Sequence, residues 1–132
     1  MIEAAGSAPT ICIIDDDASI RVAIENLLRM SGFDVRSFES ADQYLRSPER
    51  HQTSCIVSDV QLPGRSGLDL QDHLAGHHDR TPIIFITAFS RPEIRKRALD
   101  AGAICFLTKP FDNGTLLKCI EEALKGRHEG GF

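Results

Sequence analysis

The sequence predicts an α/β fold in which a parallel sheet is covered by helices on both faces. Short β-forming apolar runs alternate with amphipathic helical stretches five times along the chain. The links between them are short, as βαβ units require. The fourth run, "TPIIFIT" at residues 81–87, is almost continuously apolar, which suits a strand buried on both sides.

The elements follow in order. Ile11 to Ile14 form the first strand. Ile20, Ala23, Ile24, Leu27 and Leu28 then recur at helical spacing until Gly32 stops them. "FDVRSF", residues 33–38, alternates with the period of two expected of a strand. Ser40 and Gln43 form a capping-box signature for a short helix carrying Tyr44 and Leu45. "SCIVSD", residues 54–59, is the third strand, and the turn-rich "QLPGRSG" follows it. Leu68, Leu70 and Leu74 mark a less regular third helix that fades around His77 and His78. After the fourth strand, Pro92 opens a helix with Ile94, Ala98 and Leu99 on its buried stripe and Gly102 as its stop. "ICFL", residues 104–107, is the fifth strand. Asp112 caps a last helix bearing Leu116, Leu117, Ile120 and Leu124 and ending at Gly126, with "RHEGGF" as a frayed tail. The expected organisation is a flexible N-terminus at 1–9, one domain at 10–126, and a tail or the start of a linker at 127–132.

Composition narrows the function classes. A chain of 132 residues supports one proper core, and its apolar share (42%) and charged share (26%) are those of an ordinary globular protein. The net charge is −4 with no long basic run, which argues against direct binding to a nucleic-acid backbone. No apolar run approaches the length of a membrane span. "MIEAAGSAP" lacks a basic segment followed by an apolar one, so no secretory signal is expected and the location is read as cytoplasmic. Cys12, Cys55, Cys105 and Cys119 are widely spaced with no CxxC pair, and are expected as reduced thiols filling the core. The five histidines are read as lacking metal-ligand spacing on one element.

The polar residues that carry chemistry collect at strand exits, where ligands bind in open parallel sheets. The first strand exits into Asp15, Asp16 and Asp17, the third into Asp59, the fourth into Thr87, and the fifth into Thr108, Lys109 and Pro110. No stability argument favours three adjacent carboxylates. Two or three carboxylates on one rim do make a hard-oxygen site for Mg²⁺ or Mn²⁺, which needs only a couple of them plus phosphate oxygens. A carboxylate can also attack phosphorus to give an acyl phosphate, while a lysine neutralises the charge on the transferring group. The constellation reads as phosphoryl transfer to an aspartate.

"IIDDD", "SDVQLPGRSG", "FITAF" and "FLTKPF", in this order and spacing, resemble the receiver domain of two-component response regulators over residues 10 to about 126. The resemblance implies a doubly wound, flavodoxin-like, five-stranded sheet of order 2-1-3-4-5 with five helices. It implies Asp59 as phosphoacceptor, and a metal held by Asp15, Asp16, Asp59 and the backbone carbonyl of Gln61. Thr87 would be the switch hydroxyl, Lys109 the contact to the phosphoryl group, and Phe106 the aromatic that follows Thr87. Pro110 would follow a cis bond. Gln61, Ala88 and Phe89 would tune access to the phosphate and its lifetime, with Phe89 unable to orient an attacking water. Asp17 is read as a helix cap rather than a ligand. The implied partner is a sensor histidine kinase. A homodimer could form through the fourth helix, fifth strand and fifth helix, with Arg91, Glu93, Arg95, Lys96 and Arg97 either serving that contact or simply forming a solvated face. The motifs look like receivers of nitrogen-fixation and nodulation-type regulators, where a helix-turn-helix DNA-binding domain follows. None follows residue 126 here, so the chain reads as a stand-alone receiver or a piece cut at a linker.

Two other classes compete. "DDDAS" fits the D-x-D-x-[TVS] pattern of haloacid-dehalogenase-type phosphatases, with Asp15 as nucleophile and Asp17 as acid/base, but this leaves Asp59 without a role. A plain interaction module survives only if the acidic rim never binds metal.

Overall fold

The computed structural model describes residues 8–129. Five parallel strands run in the order β2-β1-β3-β4-β5. They are β1 (Thr10–Ile14), β2 (Asp34–Phe38), β3 (Cys55–Asp59), β4 (Ile83–Thr87) and β5 (Cys105–Thr108). The helices are α1 (Ala18–Met30), α2 (Ala41–Arg46), α3 (Gly67–Gly76), α4 (Pro92–Asp100) and α5 (Asn113–Glu129). The doubly wound architecture is the one expected.

Strand alternation divides the core in two. Ile11, Ile13, Val57, Ile84 and Ile86 face one side, where they meet Ile24 and Leu28 of α1 and Leu116, Ile120 and Ala123 of α5. Cys12, Ile14, Ile56, Ile83 and Phe85 face the other, against Tyr44, Leu70, Leu74 and Ala98 of α2, α3 and α4. Each such side chain taken out of water contributes about 1.5–3 kcal/mol, so a one-residue register slip would turn both cores inside out. The register Ile14↔Ser58 with Ser58↔Phe85 brings the carboxyl ends of the central strands level, and the chemistry-bearing residues leave the sheet there.

The helix boundaries follow local chemistry. Asp17 caps α1 by accepting from the Ser19 and Ile20 N–H groups, as expected. Ser40 accepts from Gln43 N, while the Gln43 side chain returns to Glu39 N–H rather than to the cap itself. Gly102, at φ 105°, ends α4 in the left-handed region that favours glycine.

Two expectations need correction. First, α5 does not end at Gly126 but runs on to Glu129. Gly126 does not adopt a left-handed φ, and a helical glycine costs only about 1 kcal/mol relative to alanine. The expected tail is therefore helical at 127–129, and its remainder, 130–132, lies outside the described residues, as does most of the expected flexible N-terminus (1–7). Second, Thr81 and Pro82 precede β4 rather than opening it. Thr81 turns its hydroxyl and N–H onto Asp79 Oδ1 (2.6 and 2.9 Å), and Pro82 has no N–H to give a ladder. A 3₁₀ turn at Pro48–Gln52, an element the sequence reading did not assign, intervenes before β3. Ser47 caps it, accepting from Glu49 N at 3.1 Å, with proline at the first position.

Candidate functional site

The three carboxyl-end carboxylates converge. One oxygen from each of Asp15, Asp16 and Asp59 lies within 4.8 Å of the others. Asp15 is fully buried, Asp59 nearly so, and Asp16 is exposed to solvent. The Lys109 ammonium enters from the end of β5, with Nζ 2.9 Å from Asp15 Oδ2 and 2.8 Å from Asp59 Oδ2. One cation thus faces three anions, and a deficit of two positive charges remains. The donor set is all hard oxygen, which fits a small divalent ion such as Mg²⁺.

The backbone fixes these side chains. Asp15 Oδ1 accepts from Asp17 N (2.9 Å), and Asp59 Oδ1 accepts from Gln61 N (2.9 Å), leaving each Oδ2 to Lys109. The Lys109–Pro110 peptide is cis, as expected, and Lys109 N donates to Thr87 O at 2.7 Å. Burial pushes the Asp15 carboxyl above the usual carboxylate range, against hydrogen bonds from Asp17 N–H and Lys109. For Lys109, burial acts to lower the pKa. Hydrogen bonds to Asp59 and Asp15 outweigh it, and the ammonium is held above its ordinary value.

Thr87 is fully buried at the end of β4, but its hydroxyl is engaged elsewhere. It donates to Phe89 O (3.3 Å) and accepts from Phe89 N (3.2 Å), closing the turn after β4. Phe89 itself is 66% exposed, and Ala88 is exposed beside it. Phe106 does not join the acidic rim. It is buried on the α4 side of β5, its ring centroid 6.4 Å from that of Phe85.

Several supporting residues were not singled out from the sequence. Arg21 Nη1 donates to Asp15 O (2.7 Å), pinning the acidic loop to α1 one turn beyond the Asp17 cap. Arg65 bonds Asp42 Oδ1 (3.2 Å), tying the loop after β3 to α2. Gly67 sits where no side chain fits. A Cβ there would collide with Asp59 O and lie 3.0 Å from Phe85 Cε1. The "GRSG" glycines signalled a turn, but this close approach could be seen only once β3 and α3 were packed.

The charged stripe of α4 is exposed throughout, and Lys96 and Arg97 pair with Asp100 and Asp72. His77 stands at the C-terminus of α3, as its place in the sequence suggested. His73, on the last turn of α3, stacks its ring on that of the C-cap His77 at 4.2 Å, and Arg65 Nη1 lies 3.2 Å from His73 Nδ1. A broad groove opens at the opposite, amino-terminal edge of the sheet, lined by Arg50, Gln71, Leu74, Pro82 and Gly102. It shares no residue with the acidic rim, and the chemistry of the rim makes the stronger case.

The phosphatase alternative needs Asp17 as acid/base, yet the Asp17 carboxylate is occupied in capping α1. Among the described residues, no helix is long and apolar enough to cross a membrane. The response regulator receiver domain family matches residues 11–121. Nodulation protein W of Bradyrhizobium diazoefficiens is 41% identical over 119 residues, covering 90% of this chain and 52% of that protein. The response regulator TodT of Pseudomonas putida is 39% identical over 118 residues, covering 89% and 52%. This chain thus spans about half the length of these relatives. Among solved structures, the response regulator StyR aligns with a TM-score of 0.86 at 42% identity, covering 93% of this chain and 62% of that one. A receiver domain protein from Methanospirillum hungatei aligns with a TM-score of 0.86 at 26% identity, covering 94% and 99%. Sheet order, rim chemistry and family match agree, and the chain belongs to the receiver domains of response regulators.

Proposed function

We propose that this chain is the phosphoryl-accepting receiver of a two-component system, and that a sensor histidine kinase supplies the phosphoryl group to Asp59. One observation carries the reading. A single ammonium bridges two near-buried carboxylates, one of which, Asp59, stands at the end of a strand where an incoming group can reach it.

Asp15, Asp16 and Asp59, with the backbone carbonyl of Gln61, would hold Mg²⁺ or Mn²⁺. Such an ion supplies charge neutralisation for phosphoryl oxygens. The chain's own residues do the rest. An Asp59 oxygen attacks phosphorus, forming a P–O bond as the P–N bond to the donor histidine breaks. Lys109, already within hydrogen-bond reach of Asp59, follows the charge onto the phosphoryl oxygens. Thr87 then has a choice of partners. A phosphoryl oxygen competes with Phe89 O for its hydroxyl proton, and winning it opens the turn after β4. The space vacated by Thr87 admits Phe106, so α4, β5 and α5 present a changed face to a partner or a second copy. Phe89 offers no polar group to orient water, which supports slow loss of the phosphate. The chain acts as a signalling module rather than as an enzyme turning over an external substrate.

Incubation with acetyl phosphate and Mg²⁺ tests this reading. Wild type should gain a phosphoryl group that chelation of the metal prevents, and Asp59→Asn should gain none. Equal labelling of Asp59→Asn would sink the proposal.

A further inference from the structure

The three rim carboxylates are not held alike. Asp15 and Asp59 are each fixed at both oxygens, Oδ1 by a backbone N–H and Oδ2 by Lys109. Asp16 is exposed, and among the described residues its side chain accepts no hydrogen bond and forms no ion pair. One of its oxygens nonetheless lies within 4.8 Å of the other two carboxylates. A side chain with no contacts of its own goes where its backbone directs it, so the backbone at Asp16 must be set by its neighbours.

The exit of β1 is held from two sides. Asp15 N donates to Phe38 O at 3.1 Å, tying the exit to β2. Arg21 Nη1 donates to Asp15 O at 2.7 Å, and that carbonyl belongs to the peptide that leads into Asp16. Arg21 is half-buried on α1, and among the described residues its guanidinium pairs with no carboxylate. Its charge-assisted bond to this one carbonyl is the contact that places it.

We propose that Arg21 is a positioning residue for the divalent ion: by holding the Asp15 carbonyl it fixes the peptide that carries Asp16 to the rim. The proposal rests on the reading of Asp15, Asp16 and Asp59 as the residues that hold the ion. Groups that orient metal ligands without touching the metal set its affinity, and losing one weakens binding about 10- to 100-fold. Arg21 acts on an incoming cation in two opposite senses. Its charge repels the ion, whereas its hydrogen bond presents the carboxylate that receives it. The repulsion is screened by solvent and salt, while the orientation of a ligand is not, so positioning wins. Removing Arg21 therefore weakens cation binding even though it removes a cation. The fold survives the change, because alanine is the best helix former and the Asp17 cap of α1 stays in place.

The test titrates the whole chain with Mn²⁺, with no phosphoryl donor present, and follows free Mn²⁺ by electron paramagnetic resonance. Arg21→Ala should show a dissociation constant about tenfold above that of wild type. Arg21→Lys keeps the charge and a donor, and should recover most of the loss. The Mg²⁺ concentration that half-saturates acetyl-phosphate labelling should rise in Arg21→Ala by the same factor. Equal or tighter Mn²⁺ binding in Arg21→Ala would overturn the proposal, the tighter case showing that repulsion dominates. So would an Arg21→Lys variant as weak as Arg21→Ala. A wild type that binds no Mn²⁺ would remove the ion-site reading and this inference with it, whereas equal binding in wild type and Arg21→Ala removes this inference alone.

Discussion

Lys109 Nζ lies 2.8 Å from Asp59 Oδ2, although 50 residues separate them in sequence. The same nitrogen holds the fully buried Asp15, so this one side chain offsets the charge of two carboxylates that have little water to help them. Removing it leaves both uncompensated. Lys109→Ala should lose about 2–4 kcal/mol of stability in urea titration at neutral pH, because breaking a buried pair exposes its desolvation cost. Added Mg²⁺ should stabilise this variant more than it stabilises wild type. An unchanged midpoint would show that the acidic rim carries no strain.

Gly67 tests how closely α3 must approach β3. Its N–H donates to Val60 O at 2.8 Å, and any Cβ would strike Asp59 O. Gly67→Ala should destabilise the chain by roughly 1–3 kcal/mol, as overpacking does. It should also slow acetyl-phosphate labelling by displacing Asp59. Full stability with normal labelling would mean that the loop shifts freely.

The turn after β4 rests on Thr87. Thr87→Ala removes both hydrogen bonds to Phe89 and should cost about 1 kcal/mol, whereas Thr87→Ser keeps the hydroxyl and should lose less. Amide exchange at Phe89 N–H reads this directly. Protection there should fall in the alanine variant and persist in the serine variant.

Tyr44 sets a pH limit. Burial pushes its phenol up to about 12, with its hydrogen bond to Thr53 working the other way. A folded value above the unfolded one, near 10, favours the native state fully below the unfolded value. That contribution disappears as pH rises through the folded value. Between pH 10 and 12, wild type should lose about 2 kcal/mol more than Tyr44→Phe does, measured by urea midpoints at each pH. Parallel pH curves for the two proteins would contradict this.

Much of this architecture is legible in the residues alone, for a physical reason. Apolar runs define the strands, and carboxylates and lysine placed directly after them have nowhere to go but the carboxyl rim. Asp15, Asp59, Thr87 and Lys109 are read this way. Partnerships set by the packing of two elements are not. The hold of Arg21 on Asp15 O and of Arg65 on Asp42 depends on helix phase, and the Gly67 contact on how α3 docks. That Cys105 and Cys119 share one core while Cys12 and Cys55 face opposite ones depends on strand facing. The extension of α5 past Gly126 escaped for a different reason: glycine there weakens the helix without requiring it to stop.

The position of the acyl phosphate tests the central claim most directly. Protein labelled with acetyl phosphate and Mg²⁺ can be reduced with borohydride, which converts an aspartyl phosphate to homoserine at the site it occupies, and the product mapped by peptide sequencing. The account predicts homoserine at position 59 and at neither 15 nor 17. Homoserine at position 15, with aspartate intact at 59, would contradict it.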